Sequence, residues 1–401
     1  MPRKRSITRR FGALAGAVVA GAVVAAVPAT AATAPPRSDL PAPTGPHAVG
    51  VTELHLVDHA RRDPWVPGVV RELMVTVRYP AKRGGAPAPF LTPAAAEVVA
   101  EADGARLGVD ADLVDYGFAT HSVAGADVVG ARWPVVLYSP GRGESRAFGT
   151  ALTEQLAAEG YMVVALDHTH EPPAVEFPGG RVARRALPPS SPEVLREMIA
   201  TRVGDTRFVL DRLEVLAAGG NPDAERRRLP RGLGRALDLS RVGVFGHSGG
   251  GFTAGEAVLA DRRVDAGANL DGSMAYAQST GDFGRVAREG LDRPFLLMSA
   301  GDHSAASDPS WQEFLANHRG WVRRLHLPAG EHFSYTDHQV LLSRPGLDPA
   351  VPEAAIGTVD PGRSVAAQRA YVTAFFDLHL GHRPQRLFDG PSDRYPEVEF
   401  H

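Results

Sequence analysis

The sequence RVGVFGHSGG occupies residues 241–250 and carries the strongest structural signal in the chain. Its apolar run ends in Gly246-His247-Ser248-Gly249-Gly250, which matches the G-x-S-x-G pattern of a strand that turns sharply into a helix. Glycine at both outer positions lets such a bend close, and residues 251–259 have the apolar content of a helix packed on a sheet. The stretch therefore predicts a strand, a tight turn that exposes Ser248, and a helix that begins beneath this serine.

Short apolar runs of the same kind recur from residue 134 onward. They lie at 135–138, 162–166, 242–245, 264–270, 295–298 and 322–327, and helical patterns occupy 145–159, 192–217, 251–260, 309–318 and 364–380. Strands buried on both faces that alternate with helices are typical of a parallel sheet. Alternating apolar and polar residues at 51–57 and 72–79 predict two antiparallel strands before it. We therefore expect an α/β fold with a mostly parallel central sheet, helices on both faces and an antiparallel N-terminal strand pair.

The N-terminus has the pattern of an export signal. Arg9-Arg10 closes a basic segment, residues 11–27 are uncharged and rich in Ala, Gly and Val, and residues 29–31 offer a small-residue cleavage site. This pattern predicts a twin-arginine-like signal peptide at 1–34, with an uncleaved membrane anchor as the alternative. Prolines at 35–48 predict a linker, and 49–401 is expected to be a single domain. The expected location of the protein is extracellular.

Composition limits the functions that the chain can have. Removal of residues 1–34 leaves 38 basic against 46 acidic residues, a formal charge of −8, which argues against nucleic-acid binding. The chain has no cysteine, so disulfides and thiolate zinc sites are excluded. Residues 168–171 (HTHE) provide too few ligands for a metal ion, and we expect them to border the active-site pocket instead. No cofactor and no metal are predicted, and the oligomeric state stays open.

A serine nucleophile needs a histidine within hydrogen-bond reach and an acid that orients this histidine. His332 follows the predicted strand at 322–327 and is the expected base. His338 is the competitor, but it stands where a helix can begin. Asp271 and Asp302 each end a predicted strand, and on geometry alone Asp302 is favoured, because the acid more often follows the later strand.

An oxyanion hole needs two backbone N–H donors, one from the residue after the nucleophile and one from a loop after an early strand. Gly249 supplies the first. Residues 139–144 follow the run at 135–138 and precede a helix, so the Arg142 N–H is the expected second donor.

Several segments together resemble a known family. These segments are residues 43–50 (PTGPHAVG), 138–143 (YSPGRG), 246–250 (GHSGG), 269–274 (NLDGSM) and His332. Through them the chain resembles the platelet-activating factor acetylhydrolases of the plasma and intracellular type II group, from about residue 41 to about 340. It also resembles secreted bacterial α/β-hydrolases described as lipases or esterases, which share residues 364–380 and 395–398 (YPEV). This resemblance implies an α/β-hydrolase fold and a triad acid in a Leu-Asp context, which is Asp271, with Asp302 as the alternative. Pro140 replaces the family's histidine before the oxyanion glycine, and Gly249 replaces its bulky residue after the nucleophile.

The resemblance implies a secreted serine esterase for a small lipid or ester substrate. In this reaction Ser248 attacks the carbonyl, His332 transfers the proton and Asp271 orients His332. The expected substrates are phospholipids with a short or oxidised sn-2 acyl chain. A broad lipase, a cutinase-like esterase or a polyester hydrolase is the main alternative, since residues 249–251 are all glycine. A non-catalytic binding module is the other alternative. Apolar residues around 94–125 leave transient contact with lipid open.

Overall fold

The six apolar runs lie in one large sheet. The computed structural model describes residues 40–401, except residues 114, 131, 344 and 345. The strands of the described residues are β1 (Ala48–Arg62), β2 (Val70–Ala81), β3 (Pro87–Pro89), β4 (Ala119–Ala124), β5 (Trp133–Ser139), β6 (Met162–Asp167), β7 (Ala174–Phe177), β8 (Arg181–Arg184), β9 (Leu237–His247), β10 (Ala266–Leu270), β11 (Ala275–Ala277), β12 (Asp282–Phe283), β13 (Phe295–Ala300), β14 (Val322–Leu327) and β15 (Glu399–Phe400). Eleven of them form one sheet in the order β15-β14-β13-β10-β9-β5-β6-β2-β1-β4-β3.

The middle of this sheet is parallel. Strands β14, β13, β10, β9, β5 and β6 are neighbours in that order, and each adjacent pair runs in the same direction. Strand β2 pairs antiparallel with both β1 and β6. The predicted fold class is therefore confirmed. Because the strands are parallel, β5, β9, β10, β13 and β14 end at the same edge of the sheet, where α/β proteins form their sites.

Helices connect the parallel strands. Within the described residues they are α1 (Pro93–Leu107), α2 (Thr150–Ala158), α3 (Pro192–Ala217), α4 (Leu233–Ala236), α5 (Gly249–Ala260), α6 (Arg285–Glu289), α7 (Pro309–Asn317), α8 (His338–Leu341), α9 (Ala350–Ile356) and α10 (Pro361–His379). Three of them begin with a capping side chain followed by proline: Ser191, Asp308 and Asp360 each accept a backbone N–H of the first turn. A polar cap followed by a residue that needs no N–H partner is a favourable helix start.

Consecutive residues of β9 show how both faces are covered. Val244 lies in the cluster that contains Phe252 of α5 and the apolar side of α3. Phe245 points the other way, into the cluster formed by α2 and α10, and its ring centroid is 6.1 Å from that of Phe376. The middle of this strand, residues 242–245, is continuously apolar because neither face of the sheet meets water there.

Residues 1–39, with the predicted signal peptide and most of the predicted linker, lie outside the described residues. The remaining part of the linker packs on the domain. Leu40 is buried, and Arg369 of α10 donates hydrogen bonds to the carbonyl oxygens of Pro41 and Ala42, at 2.8 and 2.9 Å. Thr44 N donates to Gln155 Oε1 at 2.9 Å. This stretch is therefore held against α2 and α10 by specific contacts.

The segment 94–125, the predicted region of lipid contact, forms most of α1, a 3₁₀ turn at 111–113 and β4. Leu113 is 50% exposed, whereas Val99, Tyr116 and Phe118 are buried. No helix of the part of the chain that the structure describes is long and apolar enough to cross a membrane.

Candidate active site

Ser248 lies at the turn between β9 and α5 in a backbone conformation that few residues adopt, with φ 54° and ψ −122°. The chain passes so close to β5 here that the neighbouring residues have no room for a side chain. A Cβ on Gly250 would lie 1.9 Å from the carbonyl oxygen of Ser139, and a Cβ on Gly246 would lie 2.3 Å from the backbone of Gly250. The two glycines of the motif are therefore required by backbone packing, and the turn stores strain at Ser248.

Ser248, His332 and Asp271 come together at the edge where the parallel strands end. The Ser248 Oγ lies 2.9 Å from Nε2 of His332, and Nδ1 of His332 lies 2.6 Å from Oδ2 of Asp271. His332 begins the turn that follows β14, and Asp271 directly follows β10. This order of contacts lets an imidazole accept the serine proton while a carboxylate fixes its tautomer.

The two competing residues have other surroundings. Asp302 lies in the wall of the cavity above Ser248, and its backbone carbonyl oxygen accepts a hydrogen bond from Ser307 Oγ at 2.8 Å. His338 begins α8, is fully buried, and lies 3.1 Å from Oδ2 of Asp103 with its ring stacked on Phe148. Neither residue takes part in the Ser248 and His332 contacts.

The N–H groups of Arg142 and Gly249 are close together beside Ser248. A Cβ on Gly249 would lie 3.6 Å from the Arg142 nitrogen. Gly249 is the first residue of α5, so its N–H has no acceptor within the helix. Among the described residues, no hydrogen bond uses the Arg142 N–H either. Two free donors at a helix N-terminus are suited to a developing negative charge.

Buried side chains hold the loop that carries Arg142. Oε2 of Glu144 lies 3.1 Å from the Gly141 nitrogen and 3.0 Å from Nδ1 of His247, and Nε2 of His247 lies 2.8 Å from the carbonyl oxygen of His332. Burial alone would raise the pKa of Glu144, but His247 outweighs this effect and lowers the pKa to about 2. One imidazole thus joins the loop after β5 to the loop after β14.

Residues 168–171 do not border the cavity above Ser248, so this prediction was wrong. His168 is buried between Asp205, at 2.9 Å, and the Ser139 Oγ, also at 2.9 Å. Glu171 accepts from Arg202, which donates to the carbonyl oxygens of Pro140 and Gly141 at 2.6 and 3.1 Å. These buried polar residues therefore hold the loop after β5 in place through its main chain and Ser139. Among the described residues, no cluster of three or more His, Asp or Glu side chains could hold a metal ion.

Comparison with known proteins agrees with this geometry. A family model for platelet-activating factor acetylhydrolase, isoform II, matches residues 121–177. The "Probable 1-alkyl-2-acetylglycerophosphocholine esterase" of Arthroderma benhamiae is 30% identical over 404 residues, which cover 93% of this chain and 96% of the relative. The chain belongs to the platelet-activating factor acetylhydrolase family. The solved structure of a ferulic acid esterase from Streptomyces cinnamoneus is also similar, with a TM-score of 0.73 and 40% identity over 90% of this chain and 98% of that one. The protein is accordingly a serine ester hydrolase with an α/β-hydrolase fold.

The esterase has a cavity of about 400 Å³ above Ser248. One wall is apolar and consists of Leu195, Met198 and Ile199 of α3 with Phe252 of α5. The remaining wall is polar, and its charged or titratable members are Arg142, Asp271, Asp302, His303, Glu331 and His332. The volume is that of a small-molecule site, and the two kinds of wall suit an ester with an apolar part and a charged or polar part.

Sequence analysis of this esterase missed His303. Its Nδ1 lies 2.8 Å from Oδ1 of Asp271, and its Nε2 lies 2.9 Å from Oδ2 of Asp308. The only signal was its position directly after Asp302, a residue that the sequence marks as a candidate acid. Asp271 therefore contacts two histidines, one through each carboxylate oxygen.

Asp271, like Ser248, has a positive φ, of 60°. Asn269 closes this turn by donating to the carbonyl oxygen of Gly272 at 2.7 Å and accepting its N–H at 2.8 Å. Burial alone would raise the pKa of Asp271, but hydrogen bonds from His303 and His332 outweigh burial and hold the pKa well below its usual range. Asp271 is thus a fixed, ionised carboxylate at neutral pH.

Proposed function

We propose that the esterase hydrolyses its substrate through an acyl-enzyme, with Ser248 as the nucleophile, His332 as the general base and Asp271 as the acid that orients His332. The observation that carries this proposal is the unbroken series of contacts from Ser248 Oγ through both nitrogens of His332 to Asp271 at the floor of the cavity.

The proposed reaction has two halves. His332 Nε2 accepts the Ser248 proton as Oγ attacks the ester carbonyl, and the carbonyl oxygen gains a negative charge that the N–H groups of Arg142 and Gly249 receive. His332 then protonates the departing alkoxide. A water molecule then gives a proton to His332 and attacks the acyl carbonyl. As the bond from the acyl carbon to Ser248 Oγ breaks, His332 returns this proton to Oγ, which releases the carboxylic acid and free Ser248.

For the substrate, we propose a glycerophospholipid with a short sn-2 acyl chain, the class named for the Arthroderma benhamiae relative. The guanidinium of Arg142 supports this choice. Arg142 lines the cavity beside Ser248, its Nη2 donates to the carbonyl oxygen of Pro188, and its buried Nε has no partner among the described residues. No carboxylate of the described residues forms an ion pair with Arg142, so a substrate phosphate can fill this role.

Neutral or aromatic esters are the alternative class, as for a broad lipase or a polyester-hydrolysing esterase. The apolar wall with Phe252 and the ferulic acid esterase similarity favour this alternative. Because residues 249–251 are all glycine, no large side chain follows Ser248.

The catalytic proposal is tested with Ser248→Ala, Asp271→Asn and Asp302→Asn on p-nitrophenyl acetate. We expect the first two to lower kcat by about 10³-fold or more, because they remove the nucleophile and the group that orients the base. We expect Asp302→Asn to stay near the wild-type rate. Loss of activity in Asp302→Asn with an active Asp271→Asn would contradict the assigned acid, and an active Ser248→Ala would contradict the mechanism.

The substrate proposal needs a separate comparison. We would measure kcat/KM for 2-acetyl-glycerophosphocholine ethers, methyl ferulate and triglycerides, and release of acid from polyester film. We expect the acetyl phospholipid to have the highest kcat/KM. Absence of phospholipid turnover in an enzyme that cleaves ferulate would reject the phospholipid class and leave the catalytic residues as proposed.

We further propose that residues 1–34 direct export by the twin-arginine route and that the mature esterase acts outside the cell. The Arg9-Arg10 pair before an uncharged, Gly- and Ala-rich segment supports this proposal. Export should stop in an Arg9→Lys/Arg10→Lys variant, as judged by the enzyme level in the culture medium.

A further inference from the structure

His303 lies between two buried carboxylates. It follows β13 by three residues and its side chain is 24% exposed. Nδ1 lies 2.8 Å from Asp271, and Nε2 lies 2.9 Å from Asp308, the N-cap of α7. The other oxygen of Asp308 accepts the Ser310 N–H at 2.8 Å. Asp308 is therefore held as an acceptor by α7, and both nitrogens of His303 face acceptors.

This geometry determines the protonation of His303. A neutral imidazole has one N–H and one lone pair, so in either tautomer one lone pair would point at a carboxylate. Only the doubly protonated ring donates to both Asp271 and Asp308. Burial alone would lower the pKa of His303, but the two carboxylates outweigh burial and raise it to about 9.

The other groups around His303 and His332 do not replace this bridge. Trp311 of α7 packs edge-on against His303, with ring centroids 4.8 Å apart. Asp302 and Glu331 line the same cavity. The ring of His247 lies 4.6 Å from that of His332, centroid to centroid. None of these four groups forms a hydrogen bond with Asp271.

We propose that His303 is a positioning residue that remains an imidazolium, fixes the Asp271 carboxylate against His332, and limits how strongly Asp271 holds a proton on His332. This role rests on the catalytic roles proposed above. Asp271, His303 and Asp308 together carry one negative charge, the charge of a lone carboxylate. Without His303, Asp271 and Asp308 together would carry two negative charges. The additional negative charge would favour the protonated form of His332, which cannot accept the Ser248 proton.

The test is the pH dependence of kcat/KM for p-nitrophenyl acetate in three enzymes. For the wild type we expect kcat/KM to fall near pH 9, because His303 there loses a proton, and with it one of its hydrogen bonds to Asp271 and Asp308, so that Asp271 is held less firmly. His303→Asn retains a hydrogen-bond donor for Asp271 but carries no charge. In this variant kcat/KM should no longer fall near pH 9, and the acidic limb of its pH profile should shift to higher pH by about 0.5–1 unit. Asp308→Asn retains a good N-cap for α7, and its basic fall should move to lower pH.

The matched control is His59→Asn, an exposed histidine of β1, which should leave both limbs in place. A purely structural His303 would lower the rate equally at all pH values, and unmoved limbs in His303→Asn would overturn the proposal. If His303→Asn does not fold, nitrogen-15 NMR of wild-type His303 decides: both nitrogens should stay protonated at pH 7, and a neutral ring would overturn the proposal. Activity that survives in Ser248→Ala would instead reject the catalytic roles.

Discussion

Arg142 presents two different groups to the cavity. Its backbone nitrogen belongs to the loop after β5 and lies 3.6 Å from the position that a Cβ on Gly249 would occupy. Arg142 lines the cavity, and burial and the nearby Arg185 lower the pKa of its guanidinium. A substitution of the side chain can therefore separate the binding of an anion from the binding of the oxyanion.

We predict that Arg142→Gln lowers kcat/KM for an acetyl phospholipid by roughly 10- to 100-fold, because hydrogen bonds to charged groups contribute about 1.5–3 kcal/mol. Turnover of p-nitrophenyl acetate, which has no anionic group, should change little. The measurement is kcat/KM for both esters in the same preparation.

Arg285→Gln on α6 is the matched control, because Arg285 is exposed and pairs with Glu289 away from the cavity. This variant should leave kcat/KM for both esters unchanged. If Arg142→Gln lowers the turnover of both esters equally, the side chain supports the loop and does not recognise an anion.

Individual residues of the site were predictable to different degrees. Ser248 and His332 follow from local patterns, a glycine-framed turn and a loop after the last parallel strand. Asp271 and Asp302 both end strands. The later strand favours Asp302 and the family resemblance favours Asp271, and it is Asp271 that contacts His332 in the structure. His303 could not be predicted, because its role depends on contacts with two carboxylates that only the folded chain brings together.

Helix α3 shows how one element supports the site without contributing a reacting group. Arg202 on its buried side donates to the carbonyl oxygens of Pro140 and Gly141, and Glu171 accepts from the same guanidinium. The loop that carries the Arg142 N–H is thereby fastened to α3. Met198 of the same helix lines the cavity.

We predict that Arg202→Lys lowers kcat by roughly 10- to 100-fold with a smaller effect on KM, because an ammonium cannot reproduce the planar contacts and small displacements of donors are costly. Steady-state kinetics on p-nitrophenyl acetate would measure this loss. Arg207→Lys, an exposed position on the same helix, is the control. An unchanged kcat in Arg202→Lys would show that the loop keeps its position without α3.

The elements themselves were largely predictable where long apolar patterns exist. The pattern at 192–217 coincides with α3, and the runs at 162–166 and 295–298 lie within β6 and β13. Strand β3 (Pro87–Pro89) was missed, because three residues with two prolines have no strand pattern of their own. It is a strand only because β4 pairs with it.

At the scale of the whole molecule, buried charges join distant segments of the chain. Arg71 of β2 contacts Asp63 at 2.7 Å and Asp205 of α3 at 2.5 Å, and all three side chains are buried. His168, after β6, also contacts Asp205. Burial alone would raise the pKa of Asp205, but Arg71 and His168 outweigh it and hold the pKa far below its usual range.

We predict that Asp205→Asn lowers the free energy of unfolding by about 3–5 kcal/mol at pH 7, because the buried Arg71 then loses one of its two carboxylate partners. The folded-state pKa of Asp205 lies below the unfolded value of about 3.9. Its contribution is therefore complete above that value and decreases as the pH falls below it. Chemical denaturation at pH 7 and pH 3 should show a smaller difference between wild type and variant at pH 3.

Asp211→Asn on the same helix is the control, since Asp211 is exposed and pairs with Arg263 at the surface. It should change the free energy of unfolding by less than about 1 kcal/mol. A difference between Asp205→Asn and wild type that is the same at both pH values would contradict the assigned charge of Asp205.

The contacts of His247 have a consequence for redesign of the enzyme. The G-x-S-x-G pattern places no requirement on the residue before the nucleophile, yet here His247 joins Glu144 of one loop to the main chain of His332 in another. Libraries that diversify the pocket should therefore keep His247 and Glu144 unchanged, or vary them only together. The apolar wall at Leu195, Met198 and Phe252 is the better place to select for a new acyl or alcohol group. Substitutions there do not remove the His247 contacts that join the loops after β5 and β14.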